Sequence, residues 1–200
     1  MPPPSYGPGN PFGVRTERLD DSARGTGAPG KRRDDVHMLV RVLRPGSVSR
    51  RARAVVREVL QAEGISGEEI ADAETVVAEL AANCEWHARP PYEIRVLSLC
   101  GVPTWCELVD GDPDLGWIPA MLDLPRAHPP LDLLAEGGRG LTLVRELSQG
   151  HCRAYPTTTF TTDTPAKAVA FALPTRSGTR LTCPPLPHLG RRPARVRLEP

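Results

Sequence analysis

Two hundred residues, 40% of them hydrophobic, suffice for one ordinary domain with its own core, flanked by polar extensions. A formal net charge of +1 gives no global attraction for nucleic acid or an anionic membrane, and neither is expected as a partner. No apolar run approaches the ~18 residues of a membrane span and the N-terminus lacks a signal-like apolar stretch, so a cytoplasmic protein is expected.

Residues 1–35 are rich in Pro, Gly, Arg and Asp with hardly any large aliphatics, and are expected to form a disordered arm. His37 to Leu43 reads as a strand stopped by Pro45-Gly46. Ser47 or Ser49 can cap a helix through Ala52, Val55, Val56, Val59 and Leu60 that ends near Gly64. Its Arg50, Arg51 and Arg53 oppose the helix dipole, so something else is expected to hold them. Ser66-Gly-Glu-Glu69 has the form of a capping box and opens a second, longer helix. In that helix Ile70, Ala73, Val77, Leu80 and Cys84 recur at steps of three and four, the period of one buried face.

Pro90-Pro91 ends the second helix. Tyr92 to Cys100 alternates as a half-buried strand does, Gly101-Val-Pro103 reads as a turn, and Trp105 to Asp110 as the strand returning from it. From Gly111 to about Glu136 five prolines and no periodicity predict a loop long enough to serve as a lid. Gly137-Gly138-Arg139-Gly140 leads into a helix carrying Leu141, Val144 and Leu147. His151 to Tyr155 and Ala166 to Leu173 read as two strands joined by a Thr-rich turn. Residues 175–200, rich in Pro and Arg, are expected to be a disordered tail. The domain is thus placed at 36–174. Its strand runs and few helices predict an α+β fold, a two-layer sandwich with a mixed sheet, rather than a doubly wound parallel sheet.

Five cysteines, at Cys84, Cys100, Cys106, Cys152 and Cys183, show no CxxC spacing and leave an odd one over. Reduced thiols, three of them in apolar runs, are the expectation.

Three stretches carry possible chemistry. One turn apart on the long helix, Glu79 and Asn83 sit at the rim of its apolar stripe. A carboxamide oxygen there can ligate a hard cation such as Mg²⁺, and a carboxylate can accept a proton or orient a water. Alone, the pair reads also as two rim residues of an amphipathic helix. Gly137-Gly138-Arg139-Gly140 at a helix start suits an anion, because glycines admit close backbone approach and the N–H groups there are free. It lacks the GK[ST] ending of a Walker loop, and a hinge into a packed helix is the other reading. Asp110, ending an apolar strand, can accept a hydrogen bond from an exocyclic amine such as adenine's, or simply open an Asp-Gly turn.

In this order, Glu79-Leu80-x-x-Asn83, His87-Ala88-Arg89-Pro90-Pro91, Val109-Asp110, Glu136-Gly-Gly-Arg-Gly-Leu-x-Leu-Val144 and a last strand near Ala168 to Leu173, the chain resembles the GHKL (Bergerat-fold) ATP-binding superfamily. Within it, the bacterial anti-sigma-factor serine-kinase-like group is the most similar, over about residues 37–174. The resemblance implies ATP and Mg²⁺ as cofactors: Asn83 on the metal, Asp110 on adenine, and Gly137, Gly138, Arg139, Gly140 and Leu141 at the nucleotide. It implies Glu79 as the catalytic base toward a substrate serine. It implies a sigma factor or an anti-sigma antagonist as protein partner, and it allows a homodimer. Two activities follow as alternatives: a protein serine/threonine kinase, or a non-catalytic nucleotide-binding module that sequesters a regulator. A full histidine kinase is not expected, since no dimerisation helix with a phosphoacceptor His precedes the domain. Three positions depart from the usual pattern: Gly111 follows Asp110 directly, Cys84 fills a small-residue slot, and Ala166 stands where a Gly is common.

Overall fold

The computed structural model describes residues 36–123, 138–180 and 195–199. Its elements are β1 (Val36–Leu43), α1 (Val48–Ala62), α2 (Gly67–His87), β2 (Tyr92–Leu99), β3 (Val102–Asp110), α3 (Ile118–Leu122), α4 (Arg139–Leu147), β4 (Cys152–Thr158), β5 (Pro165–Ala172) and β6 (Arg195–Glu199). The strands form one sheet in the order β4-β5-β3-β2-β1-β6, parallel between β1 and β6 and antiparallel elsewhere. Helices pack on one face of this mixed sheet, which is the two-layer α+β sandwich expected.

Side-chain alternation sorts each strand between two buried faces. Ile94, Val96, Cys106, Leu108, Val169 and Phe171 face the helices and join Val56, Leu60, Val77 and Leu80 in the main core. The opposite face carries Met38, Val40, Leu97, Trp105, Ala170 and Ala172, with Phe160 packed against them. Because Asp110 has the parity of Cys106 and Leu108, it points to the helix side. Its cross-strand partner on β5 is Lys167.

Helix ends follow local chemistry, with one substitution of roles. Ser66 caps α2 as its sequence suggests, its hydroxyl accepting from the Glu69 N–H at 3.3 Å. Ser47 occupies the N-cap position of α1 but makes no side-chain cap. Instead Glu85, near the end of α2, accepts from the N–H groups of Gly46 (2.6 Å) and Val48 (3.4 Å). The negative charge missing from the first turn of α1 therefore comes from the neighbouring helix. Arg50, Arg51 and Arg53 are exposed and form no ion pair among the described residues.

Three further expectations change. The β2–β3 turn is Cys100-Gly101, both at positive φ (53° and 84°), the requirement of a two-residue hairpin, so β3 begins at Val102 and runs through Pro103. The stretch read as loop from Gly111 contains α3, whose Met121 and Leu122 are buried in the core, while residues 124–137 lie outside the described residues. Pro119 is no obstacle there, because the first turn of a helix leaves its N–H groups without intrahelical partners. The tail expected to be disordered carries β6, paired in register from His37↔Arg195 to Arg41↔Glu199. β1 would otherwise be an open edge, and an alternating Arg-Val-Arg-Leu segment supplies the missing ladder partners and packs Val196 on the second face. The arm at 1–35 lies outside the described residues.

Gly111 is held where a side chain has no room. Its N–H donates to the Arg89 carbonyl at 2.8 Å, and a Cβ would sit 2.6 Å from the Pro90 carbonyl oxygen. The neighbour is backbone and cannot swing aside. Gly111→Ala is expected to cost about 1–3 kcal/mol, the range for overpacking, seen as a lower denaturation midpoint with unchanged slope.

Candidate functional site

The long helix α2 brings the site together from its rim. Ile70, Ala73, Val76, Val77, Leu80, Ala81 and Cys84 bury one face of it, which fixes its rotation. Glu79 and Asn83 are then half-buried along the edge that meets α4. Gly140, in the first turn of α4, lies against both. A Cβ at Gly140 would come within 2.7 Å of the Glu79 Oε2 and 4.0 Å of the Asn83 Nδ2. The glycine is needed for this approach, not for its φ, and any larger residue would displace the Glu79 carboxylate. Gly138 is the α4 N-cap with an ordinary helical φ of −72°, and its carbonyl accepts the Thr142 N–H and hydroxyl, both at 3.0 Å. Arg139 is exposed beside it, and Gly137 lies outside the described residues.

A cavity of about 290 Å³ opens next to these residues. Leu80, Leu141 and Val169 give it apolar walls, and Asn83, Asp110 and Lys167 are among its polar lining. Asp112, Asp114 and Trp117 also line it. The volume and the few convergent polar groups on an apolar lining are those of a small-molecule site. His87 also lines the cavity.

Asp110 is only 3% exposed and has three neighbours. Its Oδ1 lies 2.9 Å from the Lys167 Nζ and accepts the Asp112 N–H at 3.0 Å. Its Oδ2 accepts from the Cys84 thiol at 3.7 Å. Burial pushes the Asp110 carboxyl up, against the opposing pull of Lys167 and the Asp112 N–H. Burial would lower the Lys167 ammonium, but Asp110 and Asp112 more than compensate and hold it above its usual value. The Cys84 thiol is pushed well up, by burial first and by Asp110 second, so it stays protonated and acts as a weak donor. Cys84, Cys106 and Cys152 are buried thiols outside any disulfide among the described residues, and Cys100 is exposed.

Of the residues the sequence singles out, Asn83, Asp110 and Leu141 line the cavity, Glu79 and Gly140 lie against each other beside Asn83 and Gly138 caps α4, whereas Lys167, Asp112 and the Cys84 thiol were not singled out as site residues. A lysine inside the apolar run Ala166 to Leu173 was the available signal, since lysine is almost never fully buried without a partner. Among the described residues no group of three or more His, Cys, Asp or Glu could hold a metal ion. A hard cation at Asn83 would therefore draw most of its oxygens from a bound phosphate ligand and water, as Mg²⁺ commonly does. Of what a Mg-ATP ligand calls for, the cavity supplies an amide oxygen at Asn83, apolar walls and the Asp110 carboxylate, while Gly138 and Gly140 are not among its lining residues. Among the described residues no helix is long and apolar enough to cross a membrane.

A family model, the histidine kinase-like ATPase domain, matches residues 42–159, more than half of the chain. No curated protein matches it.

Proposed function

The chain belongs to the histidine kinase-like ATPase domain family, whose domains bind ATP, and from that membership we propose an ATP-dependent protein serine/threonine kinase acting on a small anti-sigma antagonist. The observation that carries this reading is the Glu79 carboxylate packed against Gly140, one helical turn from Asn83. Bound Mg-ATP supplies the transferable phosphoryl group. Asn83 would hold the metal, while Gly138 and Gly140 admit the phosphates to the start of α4, where free N–H groups and the dipole favour anions. Arg139 can add positive charge there. Leu80, Leu141 and Val169 exclude water from the base, and Asp110 accepts its amine. Glu79 is the acid beside this constellation that can take the proton from a serine hydroxyl.

A second reading, a non-catalytic module that sequesters a sigma factor or similar regulator, is favoured by the surface next to the site. Trp86 is 82% exposed at the end of α2, and the Glu85 cap ties that end to the start of α1 with its exposed arginines. Tryptophan and arginine are the residues most enriched at interface hot spots. Incubating the full chain with γ-labelled Mg-ATP and a captured partner separates the two. Label on a partner serine or threonine is the expected result; stable binding without label supports the module and removes the kinase.

A further inference from the structure

The family reading gives Asp110 a role but none to Lys167, which is 6% exposed and lines the same cavity. Its ammonium has three protons and three acceptors: Asp110 Oδ1 at 2.9 Å, Asp112 Oδ2 at 3.2 Å and the Asp112 carbonyl at 3.2 Å. They are not equally fixed. The Asp112 side chain is about a third exposed, so water can replace its contact at little cost. The proton aimed at Asp112 Oδ2 is therefore the one a ligand can claim. The Asp110 carboxylate is likewise divided. Among the described residues Oδ1 is occupied by Lys167 and the Asp112 N–H, whereas Oδ2 holds only the thiol of Cys84.

This end of the cavity thus presents one strong acceptor with one strong donor beside it. A heteroaromatic edge with an exocyclic amine next to an unprotonated ring nitrogen is its complement, and adenine has that edge. Guanine presents a carbonyl followed by two donors, which would require both carboxylate oxygens. Resting on the nucleotide reading above, we propose that Lys167 reads the base, donating to the ring nitrogen N1 while Asp110 accepts from the neighbouring amine. Lys167 is then a specificity residue and not merely a counter-charge for Asp110.

The test is a titration calorimetry cycle on the full chain with Mg²⁺, using ATP, 1-deaza-ATP (the same base with carbon in place of N1) and GTP, against wild type, Lys167→Met and Lys167→Arg. Wild type is expected to bind ATP about 10- to 100-fold more tightly than 1-deaza-ATP, the range for a hydrogen bond to a charged group. Lys167→Met should bind those two alike and weakly, and Lys167→Arg should restore part of the preference. A purely structural lysine would lower both affinities together and leave their ratio intact. Equal binding of ATP and 1-deaza-ATP by wild type, which needs no variant to fold, overturns the role of Lys167 and leaves the nucleotide reading standing. Binding of neither by wild type overturns both.

Discussion

Arg95→Met is expected to destabilise the fold by about 3–5 kcal/mol, the cost of breaking a buried ion pair by removing one partner. Arg95 and its two acidic neighbours sit on the sheet face away from the helices, where Glu93 is 0%, Arg95 2% and Glu107 2% exposed. The guanidinium donates to Glu93 Oε2 (2.7 Å) and the Thr158 carbonyl (2.6 Å), lies 3.7 Å from Glu107 Oε2, and stacks over Phe160 at 4.5 Å. Glu93 accepts further bonds from the Phe160 N–H and from the Thr161 N–H and hydroxyl, and the Tyr155 hydroxyl donates to Glu107. The connection between β4 and β5 is folded onto the sheet by these bonds. Removing the arginine leaves two buried carboxylates without a counter-charge. Urea unfolding followed by circular dichroism measures the loss, and adding Glu93→Gln and Glu107→Gln should recover much of it.

The same cluster sets a pH dependence. Burial raises the Glu93 carboxyl, but Arg95 and the Thr161 bonds outweigh it and leave it below the ordinary value of 4.5. A carboxyl depressed in the folded state contributes stability above its unfolded value and loses it as pH falls through the folded one. Glu107 runs the other way, because burial raises its carboxyl more than Arg95 and Tyr155 lower it. In Arg95→Met both carboxyls lose their cation and rise. The stability gap between variant and wild type should therefore narrow as pH falls below neutrality.

If the chain is the kinase proposed above, Glu79→Gln is expected to lower phosphate transfer to its partner by about 10²-fold or more, the usual contribution of a general base. A serine hydroxyl is a poor nucleophile at neutral pH and gains from a base that accepts its proton as the new bond forms. Glutamine keeps the length and a hydrogen-bonding head beside Gly140 but cannot take the proton. Nucleotide affinity should hardly change, since Asn83 and the cavity walls are untouched. Transfer at the wild-type rate would remove Glu79 from the chemistry.

What was legible in the sequence was the local part. The buried stripe of α2, the Ser66–Glu69 cap and the existence of β2 and β5 follow from spacing alone, so Glu79, Asn83 and their helix could be placed before the fold was known. β2, read as half-buried, is buried on both faces because the β4–β5 connection covers its outer side. The site residues that escaped notice depend on partners distant in the chain. Lys167 gains its meaning only from the β3–β5 register that sets it opposite Asp110. Gly111 looked like a departure from a pattern, yet the Pro90 carbonyl packed against it explains the glycine. β6 was invisible because a short polar strand owes its existence to the edge of β1, not to its own composition.

Titrating the purified full chain with ATP, with and without Mg²⁺, alongside Asn83→Ala, asks whether this cavity is a Mg-ATP site. The expected result is saturable binding by wild type that strengthens when Mg²⁺ is present, and loss of that Mg²⁺ dependence in Asn83→Ala with an unchanged circular dichroism spectrum. Wild type that shows no binding at millimolar ATP, with or without Mg²⁺, would contradict it.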